Sequence, residues 1–163
     1  MKRVGLSLGS NLGDRLATLE RACDALAEAF MQPLRLSQLY ETAPVNCPEG
    51  SPPYLNACVE IATDLPPEDL LKVTQGIENQ LGRVRSGVYG EPRSCDIDII
   101  YCDTDTVELP GLTIPHPRAH ERAFVLRPLC DIDPALVLPG QSLTVAELLA
   151  RLPDADDPTP FPL

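Results

Sequence analysis

The sequence lacks two features of membrane or exported proteins. It has no apolar run near the ~20 residues that a membrane-spanning helix needs, which argues against an integral membrane protein of that kind. It begins directly on a strand-like segment, without the basic and apolar pattern of a signal peptide. We therefore expect a cytoplasmic protein that does not associate with membranes.

Basic residues are also scarce, at 13 against 24 acidic ones, which gives a net charge of −11. This balance argues against a general binder of nucleic acids or anionic membranes, because such proteins need an excess of Lys and Arg. The arginines are nevertheless uneven, since none lies between Leu36 and Leu71 and six follow in a short span: Arg83, Arg85, Arg93, Arg118, Arg122 and Arg127. This uneven placement allows a local polyanion site, although arginines scattered over surface helices would give the same spacing.

The six cysteines include no Cys-x-x-Cys pair, and none has a histidine at zinc-finger spacing. Neither a disulfide framework nor a zinc site is indicated. Most of these cysteines lie within apolar strand-like or helical segments. We expect them to be small buried hydrophobic residues in a reducing compartment.

The order of the predicted elements defines the fold class. With 163 residues, 44% of them hydrophobic and 23% charged, the chain fits one soluble domain, which we assign to residues 1–152. Residues 153–163 form an acidic, proline-rich tail that we expect to be frayed. Periodicity predicts strands over 4–8, 34–40, 54–63 and 96–101, helices over 13–30 and 66–82, a hairpin over 103–109, and further helices over 119–129 and 144–151. This β-α-β-β-α-β order predicts a ferredoxin-like α+β fold, an antiparallel sheet with helices on one side and extra C-terminal helices.

An Asp-x-Asp pair lies in the last of these strands. Because side chains alternate along a strand, Asp96 and Asp98 share one face, ~7 Å apart. Adjacent like charges repel unless a cation lies between them, and Mg²⁺ typically binds one or two carboxylates together with substrate phosphates. Arg93, three residues upstream, would add a fixed positive charge beside such a cluster. The alternative is an ordinary solvated strand face.

A second polar pair follows a long proline-rich connection over residues 41–53. Tyr54 and Asn56 share one face of the predicted strand, where they would suit a planar ligand or form an ordinary polar outer face. Gly9 to Gly13 superficially suggests a phosphate loop. It lacks the Lys-Ser/Thr ending of that motif, so we interpret Gly9-Ser10-Asn11 as a turn and helix cap.

Seven separated motifs occur in a distinctive order. They are Gly9-Ser10-Asn11, Tyr40-Glu41-Thr42-Ala43-Pro44, Tyr54-Leu55-Asn56-Ala57, Gly82-Arg83-Val84-Arg85, Pro92-Arg93-Ser94-Cys95-Asp96-Ile97-Asp98-Ile99, Leu112-Thr113-Ile114-Pro115-His116 and Arg122-Ala123-Phe124-Val125-Leu126. From Gly5 to about Pro139, the chain resembles the 6-hydroxymethyl-7,8-dihydropterin pyrophosphokinase family of folate biosynthesis. The resemblance implies transfer of the βγ-diphosphate of ATP to the hydroxymethyl group of the pterin, with release of AMP.

The resemblance also implies residue roles on the nucleotide side. Asp96 and Asp98 would bind two Mg²⁺ ions and, with Arg83 and Arg93, would form the catalytic set. The remaining ATP contacts implied by the resemblance are Gln75, Glu78, Arg85, Ile99, Thr113, His116 and Arg122, besides Arg93. A helix-capping histidine is the alternative at position 116.

On the pterin side, Tyr54 and Phe124 resemble the family's stacking pair, which would hold a flat bicyclic ring. Asn56 and the backbone of Thr42, Ala43, Pro44 and Val45 would recognise the polar edge of that ring. The implied partners are these two small-molecule substrates, with no nucleic acid and no membrane, and we expect a monomer.

The sequence departs from the family pattern at four positions near the nucleotide. Glu91 replaces a usual glycine, Gly90 an aromatic residue, Ser86 a basic residue and Gly111 an arginine. Losing cationic or stacking contacts should weaken ATP binding or slow loop closure, but the aspartate pair is unaffected. We therefore predict an active enzyme with altered nucleotide affinity.

Two other functions fit part of this pattern. A metal-dependent nucleotidyl- or glycosyltransferase would use Asp96 and Asp98 but would not need Tyr54, Asn56 and Phe124. A non-catalytic ferredoxin-like binding domain, or a degenerate pterin binder, would bind ligands without forming AMP.

Overall fold

The computed structural model describes residues 1–11, 13–42, 53–82, 95–153 and 156–161. Its strands are β1 (Lys2–Ser10), β2 (Arg35–Leu36), β3 (Tyr40–Thr42), β4 (Tyr54–Thr63), β5 (Asp96–Cys102), β6 (Val107–Leu109), β7 (Leu112–Ile114) and β8 (Thr159–Pro160). Its helices are α1 (Arg15–Phe30), α2 (Pro67–Gly82), α3 (Ala123–Ile132) and α4 (Val145–Ala150), with a 3₁₀ turn at Ala119–Glu121.

The main sheet is antiparallel and has the strand order β5-β1-β4-β3-β8, with β2 also pairing with β4. The first long strand therefore lies between β4 and β5, the two long strands that flank α2 in the sequence, as the ferredoxin-like order requires. The predicted fold class is confirmed. The strand over 96–101, which carries Asp96 and Asp98, is expected to be central, and this expectation was wrong because β5 lies at one edge of this order.

The two faces of β1 belong to different layers. Val4, Leu6 and Leu8 point into a core shared with α1 and α2. The alternating Gly5, Ser7 and Gly9 lie on the opposite face, where α3 and α4 cover a second core. The first two helices thus lie on one side of the sheet and the C-terminal helices on the other.

The chain between β1 and α1 differs from the prediction. Gly9 and Ser10 remain in β1, because they pair with Asn56 and Leu55 of β4. The helix is capped later, by Asp14, whose carboxylate accepts the Ala17 N–H at 3.0 Å. The cap predicted at residues 9–11 was wrong, because strand pairing with a distant segment extends β1.

Three other boundaries were also wrong. The predicted strand over 34–40 is broken into β2 and β3, and between them the Ser37 side chain accepts the Cys58 N–H at 2.9 Å. The hairpin joins β6 to β7 through a turn containing Gly111, at φ +78°, so it does not span residues 103–109. Arg122 is extended and separates the 3₁₀ turn from α3.

The tail contradicts the expected fraying over its described residues 156–161. Strand β8 pairs with Tyr40 and Glu41 of β3, and the Phe161 N–H donates to the Leu39 carbonyl at 2.8 Å. The polar composition of the tail hid this docking because backbone hydrogen bonds, which have no sequence signature, supply much of it. Within the described part of the chain, no helix is long and apolar enough to cross a bilayer.

Candidate active site

Asp96 and Asp98 are the first and third residues of β5. Both are exposed, whereas Ile97 between them is buried in the core under the sheet. Asp96 pairs with Gly9 and Asp98 with Ser7, so both carboxylates lie on the glycine-bearing face of β1. The prediction that they share one face is confirmed.

Helix α2 supports this strand from behind. Glu78 is buried, and its carboxylate accepts the Ile97 N–H at 3.0 Å, which fixes the backbone between the two aspartates. Gln75 lies nearly one turn earlier on the same helix and is exposed. Leu71, one further turn earlier, lines a cleft beside β5.

This cleft has a volume of about 320 Å³ and contains four of the predicted nucleotide-side or metal residues. They are Asp98, Ile99, Thr113 and His116, from β5, β7 and the segment after β7. Gly111, one of the departures near the nucleotide, also lines the cleft, and the rest of the lining was not predicted and is mostly apolar: Leu71, Ile97, Leu109, Leu112 and Pro117. These residues come from four separate segments and are of types that also fill cores, so no local pattern marks them.

His116 is held in one orientation by two backbone contacts. The backbone N–H of His116 donates to the Ile100 carbonyl at 2.9 Å, and the ring Nδ1 accepts the backbone N–H of Arg118 at 3.2 Å. Burial lowers the pKa of His116, and the nearby Arg122 and Arg118 lower it further against the opposing charge of Asp98. A neutral ring that accepts at Nδ1 carries its proton on Nε2. The contact with the Arg118 N–H and a phosphate-donor role therefore use different ring nitrogens.

Arg122 and Phe124 lie at the start of α3. Both are half-buried, and the Arg122 guanidinium carbon lies 5.5 Å from the centroid of the Phe124 ring. A cation over an aromatic face is attracted by the ring quadrupole, which restricts both side chains. Cys58, on the sheet face that carries Tyr54 and Asn56, contacts the Val125 carbonyl of the same helix through its sulfur at 3.7 Å. Phe124 thus belongs to the layer that covers this face.

Asn56 has a fixed amide orientation. It is 4% exposed, and its Nδ2 donates to the Thr42 Oγ1 at 2.7 Å. The amide oxygen is then directed toward Gly9, where it would lie 3.3 Å from a Cβ atom, with the Tyr54 Cδ1 at 3.7 Å. A glycine at position 9 therefore leaves room beside an acceptor oxygen and an aromatic edge. The sequence pattern predicts Gly9 in a turn, whereas its pairing with Asn56 in β1 brings it to this contact.

The two predicted subsites lie next to each other. Asp96 pairs with Gly9, and Gly9 pairs with Asn56, so the three residues form one row across β5, β1 and β4. Two strand spacings separate the ends of the row, or about 10 Å. The carboxylates thus lie between the cleft beside β5 and the Asn56–Tyr54 region.

Several predicted positions lie outside the described residues. These are Arg83, Arg85, Arg93, Ala43, Pro44 and Val45, together with the departures at Ser86, Gly90 and Glu91. Gly111 is described: it lines the cleft at φ +78°, and its Cβ position has nothing within 4 Å. An arginine would strain the backbone there, so the glycine accompanies this turn geometry.

The donor set suits Mg²⁺. Among the described residues no group of three or more His, Cys, Asp or Glu side chains could hold a metal ion. Two exposed carboxylates on one strand face match an ion that takes one or two carboxylates and completes its shell with phosphate and water oxygens.

The family model described as 7,8-dihydro-6-hydroxymethylpterin-pyrophosphokinase (HPPK) matches residues 5–134 of the chain. The chain belongs to this family. The resemblance seen in the sequence is confirmed, and the chain is an enzyme of the HPPK pyrophosphokinase class.

Curated relatives support the same family assignment. The chain is 44% identical over 128 residues to 2-amino-4-hydroxy-6-hydroxymethyldihydropteridine pyrophosphokinase of Bacillus subtilis, covering 78% of this chain and 75% of that protein. The protein of the same name from Porphyromonas gingivalis is 44% identical over 140 residues, with 83% and 94% covered. Folic acid synthesis protein fol1 of Pneumocystis carinii is 39% identical over 153 residues, which is 94% of this chain but only 20% of fol1.

Solved HPPK structures share the fold. Wild-type Plasmodium falciparum HPPK-DHPS superposes with a TM-score of 0.71 at 15% identity, over 92% of this chain and 44% of that one. The chain thus spans less than half of that longer protein.

Proposed function

We propose that this HPPK-family chain transfers the βγ-diphosphate of ATP to 6-hydroxymethyl-7,8-dihydropterin. The hydroxymethyl oxygen attacks the β-phosphorus, a new O–P bond forms, and the bond to the α-phosphate oxygen breaks. The hydroxyl proton is lost and AMP leaves. Phosphoryl transfer depends mainly on positioning and charge neutralisation, so no nucleophilic side chain is required.

The row formed by Asp96, Gly9 and Asn56 carries this proposal. It puts Asp96 two strand spacings, or about 10 Å, from Asn56, whose amide suits a heterocycle edge. Asp98, one pleat further along, lines the cleft that would take the nucleotide. A diphosphate passing from one substrate to the other would cross these two carboxylates.

Asp96 and Asp98 would hold two Mg²⁺ ions, which neutralise phosphate charge and acidify the attacking hydroxyl when bound. Around them, the Nε2–H of His116 would donate to a phosphate oxygen, and Arg122 would add positive charge at the start of α3. Arg83, Arg85 and Arg93 stay predicted phosphate contacts, with Arg83 and Arg93 in the catalytic set. Gln75, Glu78, Ile99 and Thr113 stay predicted nucleotide-side residues.

For the pterin, Tyr54 and Phe124 would stack on the ring. Asn56 would accept an N–H from its aminopyrimidine edge through the oxygen that its bond to Thr42 directs toward Gly9. The backbone of Ala43, Pro44 and Val45 stays a predicted contact. We further propose that residues 1–152 form the catalytic domain, and that the protein acts as a cytoplasmic monomer without nucleic-acid or membrane partners.

The deciding experiment incubates the purified protein with ATP, Mg²⁺ and 6-hydroxymethyl-7,8-dihydropterin and measures AMP and the pterin diphosphate. We expect the two products in equal amounts, and neither in Asp96→Ala or Asp98→Ala. Asp105→Ala removes a carboxylate far from the site and should retain activity. Binding of both substrates without AMP would contradict catalysis, and absence of pterin binding would contradict the substrate assignment.

A further inference from the structure

Arg15, the first residue of α1, joins the two strands that carry the predicted pterin contacts. Its Nη1 donates to the Glu41 Oε2 at 2.8 Å and to the Pro53 carbonyl at 3.0 Å. Glu41 immediately precedes Thr42, and Pro53 immediately precedes Tyr54. Thr42 and Tyr54 are themselves register partners across β3 and β4. One guanidinium nitrogen therefore holds the neighbours of both residues.

The Arg15 side chain is in turn held by the C-terminal segment 156–161. Its guanidinium carbon lies 5.7 Å from the centroid of the Phe161 ring. The Phe161 backbone is fixed by its bond to Leu39, one residue before β3. Asp157 secures the same segment through two bonds to Arg127 of α3, at 2.9 and 2.5 Å.

We propose that Arg15 is a positioning residue for the pterin subsite and that Phe161 holds it in place. The inference rests on the proposed function, because it assigns the effect to the pterin rather than to ATP. Arg15 fixes the separation of Thr42 and Tyr54, and Thr42 in turn fixes the Asn56 amide. No described contact of Arg15 reaches the carboxylate pair or the cleft beside β5.

The chemistry of arginine suits this role better than that of lysine. The two hydrogens of one terminal nitrogen serve two acceptors, while the planar face of the group remains available to an aromatic ring. The ion pair with Glu41 is partly exposed, with side chains 23% and 37% accessible. Partly exposed pairs contribute little to folding stability, so the expected consequence of losing it is geometric.

The test compares Arg15→Gln with Lys2→Gln. Each removes one cation from an ion pair; that of Lys2, with Asp105, lies at the other end of β1. For Arg15→Gln we expect the KM for the dihydropterin to rise about five- to tenfold, because Thr42 and Tyr54 are no longer held at a fixed separation. The KM for ATP, kcat and the urea midpoint should stay close to wild type. Lys2→Gln should leave all four unchanged, and Arg15→Lys should fall between wild type and Arg15→Gln.

A second pair of variants tests Phe161. Phe161→Leu keeps apolar volume but loses the ring face, and it should raise the pterin KM about two- to fourfold, whereas Phe161→Tyr should match wild type. If Arg15→Gln does not fold, equal pterin KM values in these two variants overturn the inference. With folded Arg15→Gln, an unchanged pterin KM, or an equal rise for ATP, overturns it. A wild-type protein that forms no AMP contradicts the proposed function itself, so the two failures are distinguishable.

Discussion

Gly5 and Gly9 lie on the same face of β1, but the polar region around Gly5 is buried and closely packed, whereas the one around Gly9 includes exposed carboxylates. At Gly5 the chain fills the space itself: a Cβ there would lie only 2.1 Å from the Cε1 of the Tyr101 ring. At Gly9 the nearest atoms to a Cβ are the Asn56 Oδ1 at 3.3 Å and the Tyr54 Cδ1 at 3.7 Å. The same residue type thus makes room for an internal ring at one end and leaves an open edge at the other.

The charges around the two glycines differ in the same way. Near Gly5, Glu60 is 8% exposed. Its carboxylate accepts a hydrogen bond from the Tyr101 hydroxyl at 2.5 Å and two from the Arg3 guanidinium, each at 2.9 Å. Near Gly9, Asp96 and Asp98 are exposed. Polar groups that satisfy one another in the interior stabilise a fold, whereas accessible ones of one sign suit a ligand. A single sheet face thus carries buried polar groups that satisfy one another near Gly5 and exposed carboxylates, with a proposed role in the site, near Gly9.

The largest expected effect is near Gly9, where the two aspartates are exposed. Asp98→Asn removes a charge that the amide cannot replace, and we expect the rate of AMP formation to fall on the order of 10²–10³-fold. The thermal midpoint should not fall, because the side chain is exposed. Steady-state assays and a melting curve test both statements. Asp105→Asn is the matched control, and equal losses of activity in the two variants would contradict the assignment.

At the Gly5 end of β1, Gly5→Ala should destabilise the fold by about 3 kcal/mol, because the Tyr101 ring cannot move away from the new methyl group without repacking. In a strand, replacing glycine by alanine normally stabilises the fold. A loss of stability in Gly5→Ala would therefore point to the clash with the Tyr101 ring. Urea unfolding measures it. The penalty should shrink in a Tyr101→Ala background, and an undiminished penalty there would show that the ring is not its cause.

Removing one hydroxyl from the internal network should have a smaller effect. Tyr101→Phe leaves the buried Glu60 without one of its donors and should cost about 1–2 kcal/mol of unfolding free energy, with kinetic constants unchanged. Tyr40→Phe removes a comparable bond, 2.7 Å long, to the exposed Asp131 and should cost less. A larger loss in Tyr40→Phe would reverse the expected order.

The smallest effect should follow from Gly9→Ala. Its methyl group fits with a shift of a few tenths of an ångström, so we expect stability within about 0.5 kcal/mol of wild type. The methyl occupies space beside the Asn56 oxygen, so the pterin KM should rise about three- to fivefold. Gly76→Ala on α2, where nothing lies within 4 Å of the Cβ position, should leave both KM values unchanged. A Gly9→Ala enzyme with wild-type pterin KM would remove this glycine from the subsite.

The sequence predicts best the features that depend on local alternation. Strand β4 has the predicted bounds, Tyr54–Thr63, and Asp96 and Asp98 share a face as predicted, because both follow from a period of two. The family resemblance and the fold class also follow from motifs and element order. The structure gives the positions of the described site residues in the fold, and their roles in binding and catalysis stay predictions.

The features that sequence analysis missed depend on distant partners. Gly9 belongs to a strand because Asn56 pairs with it, and β8 forms because β3 offers an edge to the tail. The Arg15 contacts join four segments, and a leading arginine in a helix carries no signal of them. Local pattern cannot reveal which surface each of these residues meets, since the partner is chosen by tertiary packing.

The alternation of β1 has a consequence for how this enzyme can change. Its large side chains, Val4, Leu6 and Leu8, all enter the layer under α1 and α2, while Gly5, Ser7 and Gly9 carry almost no bulk on the other side. Under the proposed function, the neighbouring strands β4 and β5 supply the chemistry on that side. Substrate preference can therefore be redesigned on β4 and β5 with β1 left as a constant template, and the helical layer beneath can be repacked for heat tolerance in a separate round of engineering.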